Sequence, residues 1–405
     1  MLIITANYLC HVKIIRYLNS HFLYWDYMDT IFSTAQGRFK LNRVPLRQHE
    51  TLRAWDAADE LVLDYLHENH SNNLTNNARV LIINDQFGAL CVALNTTERS
   101  SWSDSFIAHQ AAQFNCKQNR IKPSQHISSI DNLNGTYDFV IIKIQKSLAQ
   151  LEDQLHRLRE HITPKTVIIG CSMVKMLHTS TLALFENIIG NTTTSLAKKK
   201  ARLVFCQYEP TLTIKNNPYP QSFTLEDRQW HILNHANVFS RAKLDIGCRF
   251  FMQNLPTSQK YKRIIDLGCG SGIIGMVAAS LHPDAQIDFY DESYMAVASA
   301  EHNFAQYFPD HQQVSFQVDD CLTSREQASA DLILNNPPFH QQNAIGDFIA
   351  MQMFRQSFKT LASGGELWVI GNSHLQYQQK LKKIFNNCES MAANNKFVIL
   401  RAIKK

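Results

Sequence analysis

Short apolar runs alternate with helical patterns along the second half of the chain. An apolar run from Arg263 leads into a glycine-rich turn and the helical pattern IIGMVAASLHP, which stops at Pro283. The further apolar runs are AQIDFYD, VSFQV, ADLILNN and ELWVIGN. Before the last run, Gly364 and Gly365 are the expected end of a helix, because glycine is favoured just past a helix C-terminus. Strands that alternate with helices predict an open, mostly parallel sheet with helices on both faces.

The first half carries the same order of patterns. ARVLIINDQFGALCVAL, at residues 78–94, has the strand–turn–helix pattern of residues 263–280. Residues 136–178 then give strand, loop, helix, turn and strand, like the later part of the second half. The sequence therefore predicts an α/β protein with two tandem Rossmann-like domains. An unrelated first domain with a chance pattern match is the alternative.

The predicted organisation has four parts. Residues 1–40 are an N-terminal extension, 41–209 the first domain, 210–222 a proline-containing linker and 223–405 the second domain. Residues 1–27 are mixed polar and aromatic and lack the features of a signal peptide. We interpret them as a mis-assigned translation start or a disordered extension, with an extra helix as the alternative.

The two predicted domains differ at the positions where a ligand would bind. Four glycines crowd residues 268–275, whereas the corresponding turn of the first half, NDQFGA, keeps only Gly88. KIQKS in the first half stands where the second half has NNPPF. Without glycines the backbone cannot approach a ligand closely. We therefore expect the first domain to be inert as a catalyst and to serve in substrate binding or packing.

Composition sets broad limits on the class of protein. The chain has 405 residues, of which 45% are apolar and 19% charged, and its net charge is +5. These values describe a soluble globular protein of two domains. None of the nine cysteines lies in a CxxC pair, so we expect no metal site, no disulfide framework and a reducing cytoplasm. We also expect no membrane span, because no apolar run is long enough.

The turn DLGCGSG predicts a ligand site. Gly268, Gly270 and Gly272 permit a sharp bend and a close approach of the backbone to a ligand, which then meets the positive end of the following helix. Asp291 lies 21 residues after Gly270 at the end of the next predicted strand, the spacing at which an acid grips a ribose diol. A nicotinamide cofactor is one candidate. Asp266 at the start of the turn argues instead for a ligand with a positively charged amino-acid moiety.

DLGCGSG resembles the first motif of class I S-adenosylmethionine-dependent methyltransferases. The resemblance implies that Asp266 and the three glycines lie near the methionine moiety and that Asp291 holds the ribose. It also implies that Asp320, in the segment DDCL, lies near the adenine amine, with Asp319 as the competing choice.

Asn336, Pro337, Pro338 and Phe339 form a stiff polar corner after a predicted buried strand. They resemble the (N/D/S)PP(Y/F/W) motif of methyltransferases that modify amino groups of DNA, RNA or glutamine. The prolines fix the backbone, the Asn336 side-chain oxygen and the Pro337 carbonyl can accept hydrogen bonds from one amine, and Phe339 can stack on a base. These four residues are the predicted catalytic residues.

The segment HANVFSRAKLDIGCRFFMQNLP, residues 235–256, narrows the resemblance to the RsmC/RlmG family of bacterial rRNA guanine-N2 methyltransferases. Two tandem methyltransferase-like domains, the first without cofactor binding, are described for that family. The segments DESYMAVASA and NNPPFHQQ and the C-terminal end are most similar to members that act on 23S rRNA. The resemblance also implies that Phe239, with Arg241 and Asp245, helps to close over cofactor or target.

The resulting prediction is an S-adenosylmethionine-dependent enzyme that methylates a guanine N2 of 23S rRNA, with the first domain binding the RNA and with no DNA partner. The alternatives are 16S rRNA or a protein glutamine as substrate, an NAD-dependent dehydrogenase and a non-catalytic RNA-binding protein. RNA contacts are only weakly indicated. The basic residues concerned are the run at 197–202 and Lys380, Lys382, Lys383, Lys404 and Lys405.

Overall fold

The computed structural model describes residues 30–47, 50–338 and 344–405. Residues 1–27 and Phe339, both subjects of the sequence predictions, lie outside the described residues. None of the helices in the described ranges is long and apolar enough to cross a bilayer.

The first half is a seven-stranded sheet with helices on both faces, preceded by a two-stranded hairpin. Its sheet has the strand order β5-β4-β3-β6-β7-β9-β8, in which β9 and β8 are antiparallel to their neighbours. Its strands are β1 (Ile31–Thr34), β2 (Gly37–Lys40), β3 (Arg79–Ile83), β4 (Glu98–Ser103), β5 (Gln125–Ser128), β6 (Phe139–Lys143), β7 (Val167–Met173), β8 (Thr192–Thr194) and β9 (Ala201–Cys206). Its helices are α1 (Ala57–His70), α2 (Ala89–Ala93), α3 (Phe106–Gln118), α4 (Leu148–Leu158) and α5 (Thr179–Ile188).

The second half has the same architecture. A hairpin precedes a sheet of order β14-β13-β12-β15-β16-β18-β17, and its last two strands are again antiparallel. Its strands are β10 (Gln221–Leu225), β11 (Trp230–Asn234), β12 (Arg263–Leu267), β13 (Gln286–Asp291), β14 (Val314–Val318), β15 (Ala330–Asn335), β16 (Leu361–Asn372), β17 (Glu389–Ala393) and β18 (Phe397–Ile403). Its helices are α6 (Ile246–Met252), α7 (Ile273–Leu281), α8 (Tyr294–Tyr307), α9 (Ala344–Thr360) and α10 (Tyr377–Phe385).

The strand orders of the two sheets match position by position, which confirms the predicted α/β fold with two tandem Rossmann-like units. The hydrogen-bond registers also match. Ile83 of β3 pairs with Ile142 of β6, as Leu267 of β12 pairs with Asn335 of β15. Lys143 in the first half therefore corresponds to Asn336 in the second, one position later than the alignment of KIQKS with NNPPF predicts.

Both faces of each central strand are buried, which is why these strands are apolar without alternation. In β3, Val80 and Ile82 face one apolar cluster while Leu81 and Ile83 face another. The described part of the predicted N-terminal extension packs with this half, because Phe32 and Phe39 of the β1–β2 hairpin are buried in the first cluster.

The helix that was predicted to end at Gly364 and Gly365 ends before these two glycines. Helix α9 ends at Thr360, and the next strand begins at Leu361, so Gly364 and Gly365 lie within β16 instead of closing the helix. Gly364 has a φ of +78° and a hydrogen bond from its N–H to the carbonyl of Lys404. Its positive φ serves a turn at the start of the strand, which the composition of the segment did not distinguish from a helix cap.

Candidate active site

The predicted site residues come from several loops that meet at the carboxyl edge of the second sheet. Because β12, β13 and β15 are parallel neighbours, the turn after Leu267, the acid Asp291 and the corner after Asn335 emerge at the same edge. Ligands of open α/β sheets bind in the crevice outside this edge. The topology therefore brings together residues that are up to about 70 positions apart in the chain.

The glycines of the turn divide into two kinds. Gly268, Gly270 and Gly272 all have positive φ values, of 75°, 54° and 81°. A Cβ added to Gly270 would meet nothing within 4 Å, whereas one added to Gly272 would lie 2.9 Å from Cβ of Ala300. Gly270 thus borders open space, and Gly272 is required for packing α7 against α8.

Two acids hold the turn in place. The Asp291 carboxylate accepts hydrogen bonds from the N–H groups of Gly270, at 3.0 Å, and Ser293, at 3.1 Å. Asp266 is buried within β12 and accepts a hydrogen bond from the N–H of Gly275 at 2.8 Å. Burial raises the pKa of Asp266 to about 7 and also raises the pKa of Asp291, where the two N–H groups oppose the shift. Both acids therefore support the conformation of the glycine turn.

The structure gives the neighbouring acids Asp319 and Asp320 different roles. Asp319 accepts hydrogen bonds from the backbone N–H and the hydroxyl of Ser324, both at 2.8 Å, and so fixes a local turn. Asp320 accepts one from the Gln352 amide at 2.8 Å. Burial raises the pKa of Asp320, and the Gln352 amide opposes that shift. The geometry favours Asp320 over Asp319 for contact with a ligand.

The polar corner after β15 presents a buried side-chain acceptor, the amide oxygen of Asn336. The Asn335 amide donates to the carbonyl of Leu267 at 2.8 Å and so ties β15 to the turn. The side-chain oxygen of Asn336 is buried and has no hydrogen-bond partner among the described residues. Pro337 is buried and Pro338 is exposed. A buried amide oxygen without a partner is costly, and it is suited to accept a hydrogen bond from a ligand.

The segment predicted to close over the site lies beside α8. Val238 is buried against Met295, while Phe239 is 74% exposed. Asp245 caps α6 by accepting a hydrogen bond from the N–H of Cys248 at 3.0 Å. Phe239 is an apolar side chain that the described protein leaves uncovered, whereas Asp245 is engaged in local structure.

Arg47 is a residue of the site that the sequence analysis did not find. It comes from the first half, yet its guanidinium carbon lies 3.6 Å from the centroid of the Phe348 ring at the start of α9. Its charge also acts to lower the pKa of Asp320. The segment around Arg47 has no motif, so only the tertiary contact between the halves could reveal it.

The corresponding edge of the first sheet carries buried ion pairs, beside a cavity of about 300 Å³ that is lined in part by Asp56 and Lys143. The Lys143 ammonium lies 2.7 Å from a carboxylate oxygen of Asp59 and 3.0 Å from one of Asp56. Burial raises the pKa of Asp59 to about 7, although the charge of Lys143 opposes that shift. Gly88 is a packing glycine, since a Cβ there would lie 2.4 Å from Cα of Ala112. Within the described residues, no three His, Cys, Asp or Glu side chains of either half are grouped to hold a metal ion.

Two separate family models match the two halves of the chain. Residues 29–210 match the family model described as the RLMG N-terminal domain, and residues 229–401 match the methyltransferase small domain. A protein of Psychromonas ingrahamii named ribosomal RNA large subunit methyltransferase G is 44% identical over 386 residues, which cover 93% of this chain and 100% of that protein. The chain belongs to the ribosomal RNA large subunit methyltransferase G family.

Other members and a solved structure extend the comparison. The family member of Klebsiella pneumoniae is 46% identical over 370 residues, covering 90% of this chain and 96% of that protein. The T. thermophilus 16S rRNA N2 G1207 methyltransferase RsmC, solved in complex with AdoMet and guanosine, is 17% identical with a TM-score of 0.72. That similarity covers 93% of this chain and 98% of RsmC and shows the shared two-sheet fold.

Proposed function

We propose that this protein transfers a methyl group from S-adenosylmethionine to the exocyclic N2 amine of a guanine in 23S rRNA. The catalytic residues of this proposal are Asn336, Pro337, Pro338 and Phe339, in the second half. The observation that carries it is the buried Asn336 oxygen, which has no hydrogen-bond partner in the described part of the chain and lies at the same sheet edge as the glycine turn. The names of the relatives support the large-subunit RNA as substrate.

The residues present fit S-adenosylmethionine. The open space at Gly270 gives room for a ligand against the backbone, and Gly268 lies on the same turn. Asp291 is placed to accept hydrogen bonds from ribose hydroxyls, and Asp320 to accept one from the adenine amine. Phe239 has exposed apolar surface to cover the bound molecule. When bound, the donor supplies an electrophilic methyl group.

The asparagine–proline corner orients the amine. The Asn336 oxygen and the Pro337 carbonyl accept hydrogen bonds from the two N–H groups of the amine. These bonds direct the nitrogen lone pair and stabilise the positive charge that develops on nitrogen. The exocyclic amine of guanine is a poor nucleophile because its lone pair is delocalised into the ring. The nitrogen becomes acidic as it is methylated, so no strong base is needed in the protein.

RNA contacts are proposed for basic side chains beside the catalytic corner. Lys380 of α10 lies 2.8 Å from Asp347 in the first turn of α9, the helix that follows the catalytic corner in the chain. Lys382 and Lys383 follow on α10 and are exposed. Exposed lysines make phosphate contacts that position an RNA without reading its sequence. In the first half, Lys198 and Lys199 are instead paired with acids of α1, so they are weaker candidates.

We further propose that the first domain, residues 41–209, binds the RNA while residues 223–405 carry out catalysis, with 210–222 as the linker. This division is supported by the ion-paired Lys143 in the first half and by the open space beside Gly270 in the second. Since 23S rRNA is made and assembled in the cytoplasm, we expect the protein to act there.

The deciding experiment is methyl transfer with labelled S-adenosylmethionine. Purified 16S and 23S rRNA, each naked and within its subunit, are the four substrates, and nucleoside analysis of the product identifies N2-methylguanosine. We expect label only in a guanine of 23S rRNA. Label in 16S rRNA would overturn the choice of substrate, and absence of label in every RNA would overturn the proposed activity.

A further inference from the structure

The two halves meet through two corresponding loops. One is the β4–α3 loop, residues 103–105, and the other is the β13–α8 loop, residues 291–293. The strand registers align them, because Ile83 pairs with Trp102 as Leu267 pairs with Tyr290. Ser103 therefore corresponds to Asp291. The position of the proposed ribose acid is a serine in the first half, next to the contact between the halves.

The contacts across this junction are reciprocal. The Ser293 hydroxyl donates to the Asp104 carboxylate at 2.7 Å, and the Ser105 hydroxyl donates to the Glu292 carboxylate at 2.7 Å. The backbone pairs in the same way. The N–H of Tyr294 donates to the carbonyl of Asp104 at 3.1 Å, and the N–H of Phe106 donates to the carbonyl of Glu292 at 3.0 Å. Each half thus completes the loop of the other.

Asp104 is the most heavily bonded residue of this junction. It is 2% exposed, and its carboxylate accepts four hydrogen bonds. The donors are the Ser129 hydroxyl at 2.6 Å, the Asn237 amide at 2.7 Å, the Ser293 hydroxyl at 2.7 Å and the N–H of Met295 at 2.8 Å. Three of the four donors belong to the second half. A buried charge is retained only where such donors replace water.

The junction leads directly to Asp291. Ser293 donates through its hydroxyl to Asp104 and through its backbone N–H to Asp291. Asp291 in turn receives the N–H of Gly270, which borders the open space of the turn. An unbroken series of hydrogen bonds, each between 2.7 and 3.1 Å, therefore joins Asp104 of the first half to the glycine turn of the second.

We propose that Asp104 is a positioning residue through which the first half sets the affinity of the second half for S-adenosylmethionine. This inference rests on the proposed function. The Asp104 carboxylate fixes the first turn of α8 and the rotamer of Ser293, and these fix the orientation of Asp291 toward the ribose hydroxyls. The first half then contributes to donor binding although its own sheet edge has Ser103 in the position of Asp291.

The test is the isosteric variant Asp104→Asn, which keeps the size of the side chain but replaces one acceptor oxygen by an NH₂ group that faces donors. Loss of one charge-assisted hydrogen bond predicts a roughly tenfold increase in the donor Kd measured by calorimetry. The donor KM is expected to rise equally, while kcat at saturating donor stays within about twofold. A merely structural role would lower the fraction of active protein without this selective rise in KM.

Ser129→Ala is the matched control. It removes a hydrogen bond to the same carboxylate, but the lost donor lies in the first half, so the three contacts from the second half remain. We expect its donor Kd to change by less than about twofold. An equal increase in both variants would overturn the proposed route through Ser293.

A measurement on the wild-type protein avoids dependence on the stability of a variant. Coupling is reciprocal, so a donor that binds at Asp291 must also stabilise the junction. Amide hydrogen exchange is compared with and without S-adenosylhomocysteine. We expect the ligand to slow exchange at the N–H of Phe106 in the first half as well as at that of Tyr294 in the second. Protection confined to the second half would overturn the inference.

The outcomes for the inference and for the proposed function are separable. If the wild-type protein bound neither S-adenosylmethionine nor S-adenosylhomocysteine, both would be overturned. If the wild-type protein bound the donor and Asp104→Asn bound it equally well, this inference alone would be wrong.

Discussion

The carboxyl edges of the two sheets share one topology but differ in every group that could meet a ligand. At corresponding positions the second half has Asn336, whose side-chain oxygen meets no donor among residues 30–47, 50–338 and 344–405, and the first half has Lys143, paired with two acids. The second half has Asp291 where the first has Ser103. Gly270 corresponds to Gln86 of the first half, two residues before the packing glycine that both halves share.

This difference separates what the fold requires from what the proposed reaction requires. The packing glycine survives in both halves, as Gly272 and Gly88, because a side chain would collide with the adjacent helix in either. Gly270, Asp291 and Asn336, in contrast, are replaced by other residue types at the corresponding positions of the first half. Position in a shared fold therefore does not conserve chemistry, and function has to be argued from the site.

The largest expected effect tests the ion pair between Lys143 and Asp59 at the edge of the first sheet. In Lys143→Met, the buried Asp59 loses its ion pair, so we expect the free energy of unfolding at pH 8 to fall by about 3 to 5 kcal/mol. The loss should be smaller at pH 6, because burial raises the pKa of Asp59 to about 7 and a protonated carboxyl carries no charge. Urea unfolding at the two pH values measures this. Normal stability combined with lost methyl transfer would show that the first edge is not merely structural.

Asn336→Ala tests the corresponding position of the second half. Removal of one oriented acceptor predicts a fall in methyl transfer of about 100- to 1,000-fold. The donor Kd should remain within about twofold, because Asn336 is proposed to contact the amine and not the donor. Single-turnover transfer and calorimetry check the two parts. A lost donor affinity with an intact transfer rate would contradict the assignment.

The two kinds of glycine are distinguished by Gly272→Ala and Gly270→Ala. The first places a Cβ 2.9 Å from Ala300, so overpacking should lower the unfolding free energy by about 1 to 3 kcal/mol. The second meets no atom within 4 Å and should cost only about 1 kcal/mol for its positive φ. Its donor Kd should nevertheless rise at least about tenfold, since the added methyl occupies the proposed ligand space. Equal stability losses in both would remove the distinction.

The smallest effect tests the contribution of Arg47 across the halves. Burial raises the pKa of Asp320 and the charge of Arg47 opposes that shift, so Arg47→Gln should raise the pKa further. On acidification, the Asp320 carboxylate of the variant then becomes protonated at a higher pH than that of the wild type. We expect donor binding to match wild type at pH 8 and to weaken relative to wild type, by at most a few-fold, as the solution is acidified. A constant ratio across this pH range would mean that Arg47 does not act through Asp320.

The pattern of the sequence was sufficient for the fold and for the meeting of the glycine turn, Asp291 and the Asn336 corner at one sheet edge. Apolar runs and turn residues predicted two α/β units, because a strand buried on both faces must be apolar and a tight turn needs residues of positive φ. The spacing from Gly270 to Asp291 placed the acid beside the turn. The role of Gly364 was misjudged because glycine serves both helix ends and strand turns, and the sequence alone does not separate them.

What the sequence determined by itself was local: the order of strands and helices, the glycine turn and the stiff corner at Asn336. Tertiary structure alone decided that Asp104 and Arg47 of the first half contact the second half, and that Gly270 borders open space while Gly272 is packed. These facts depend on contacts between residues that are far apart in the chain, such as Asp104 and Ser293. Local propensity carries no information about such contacts, because their geometry is set only when the two cores are packed together.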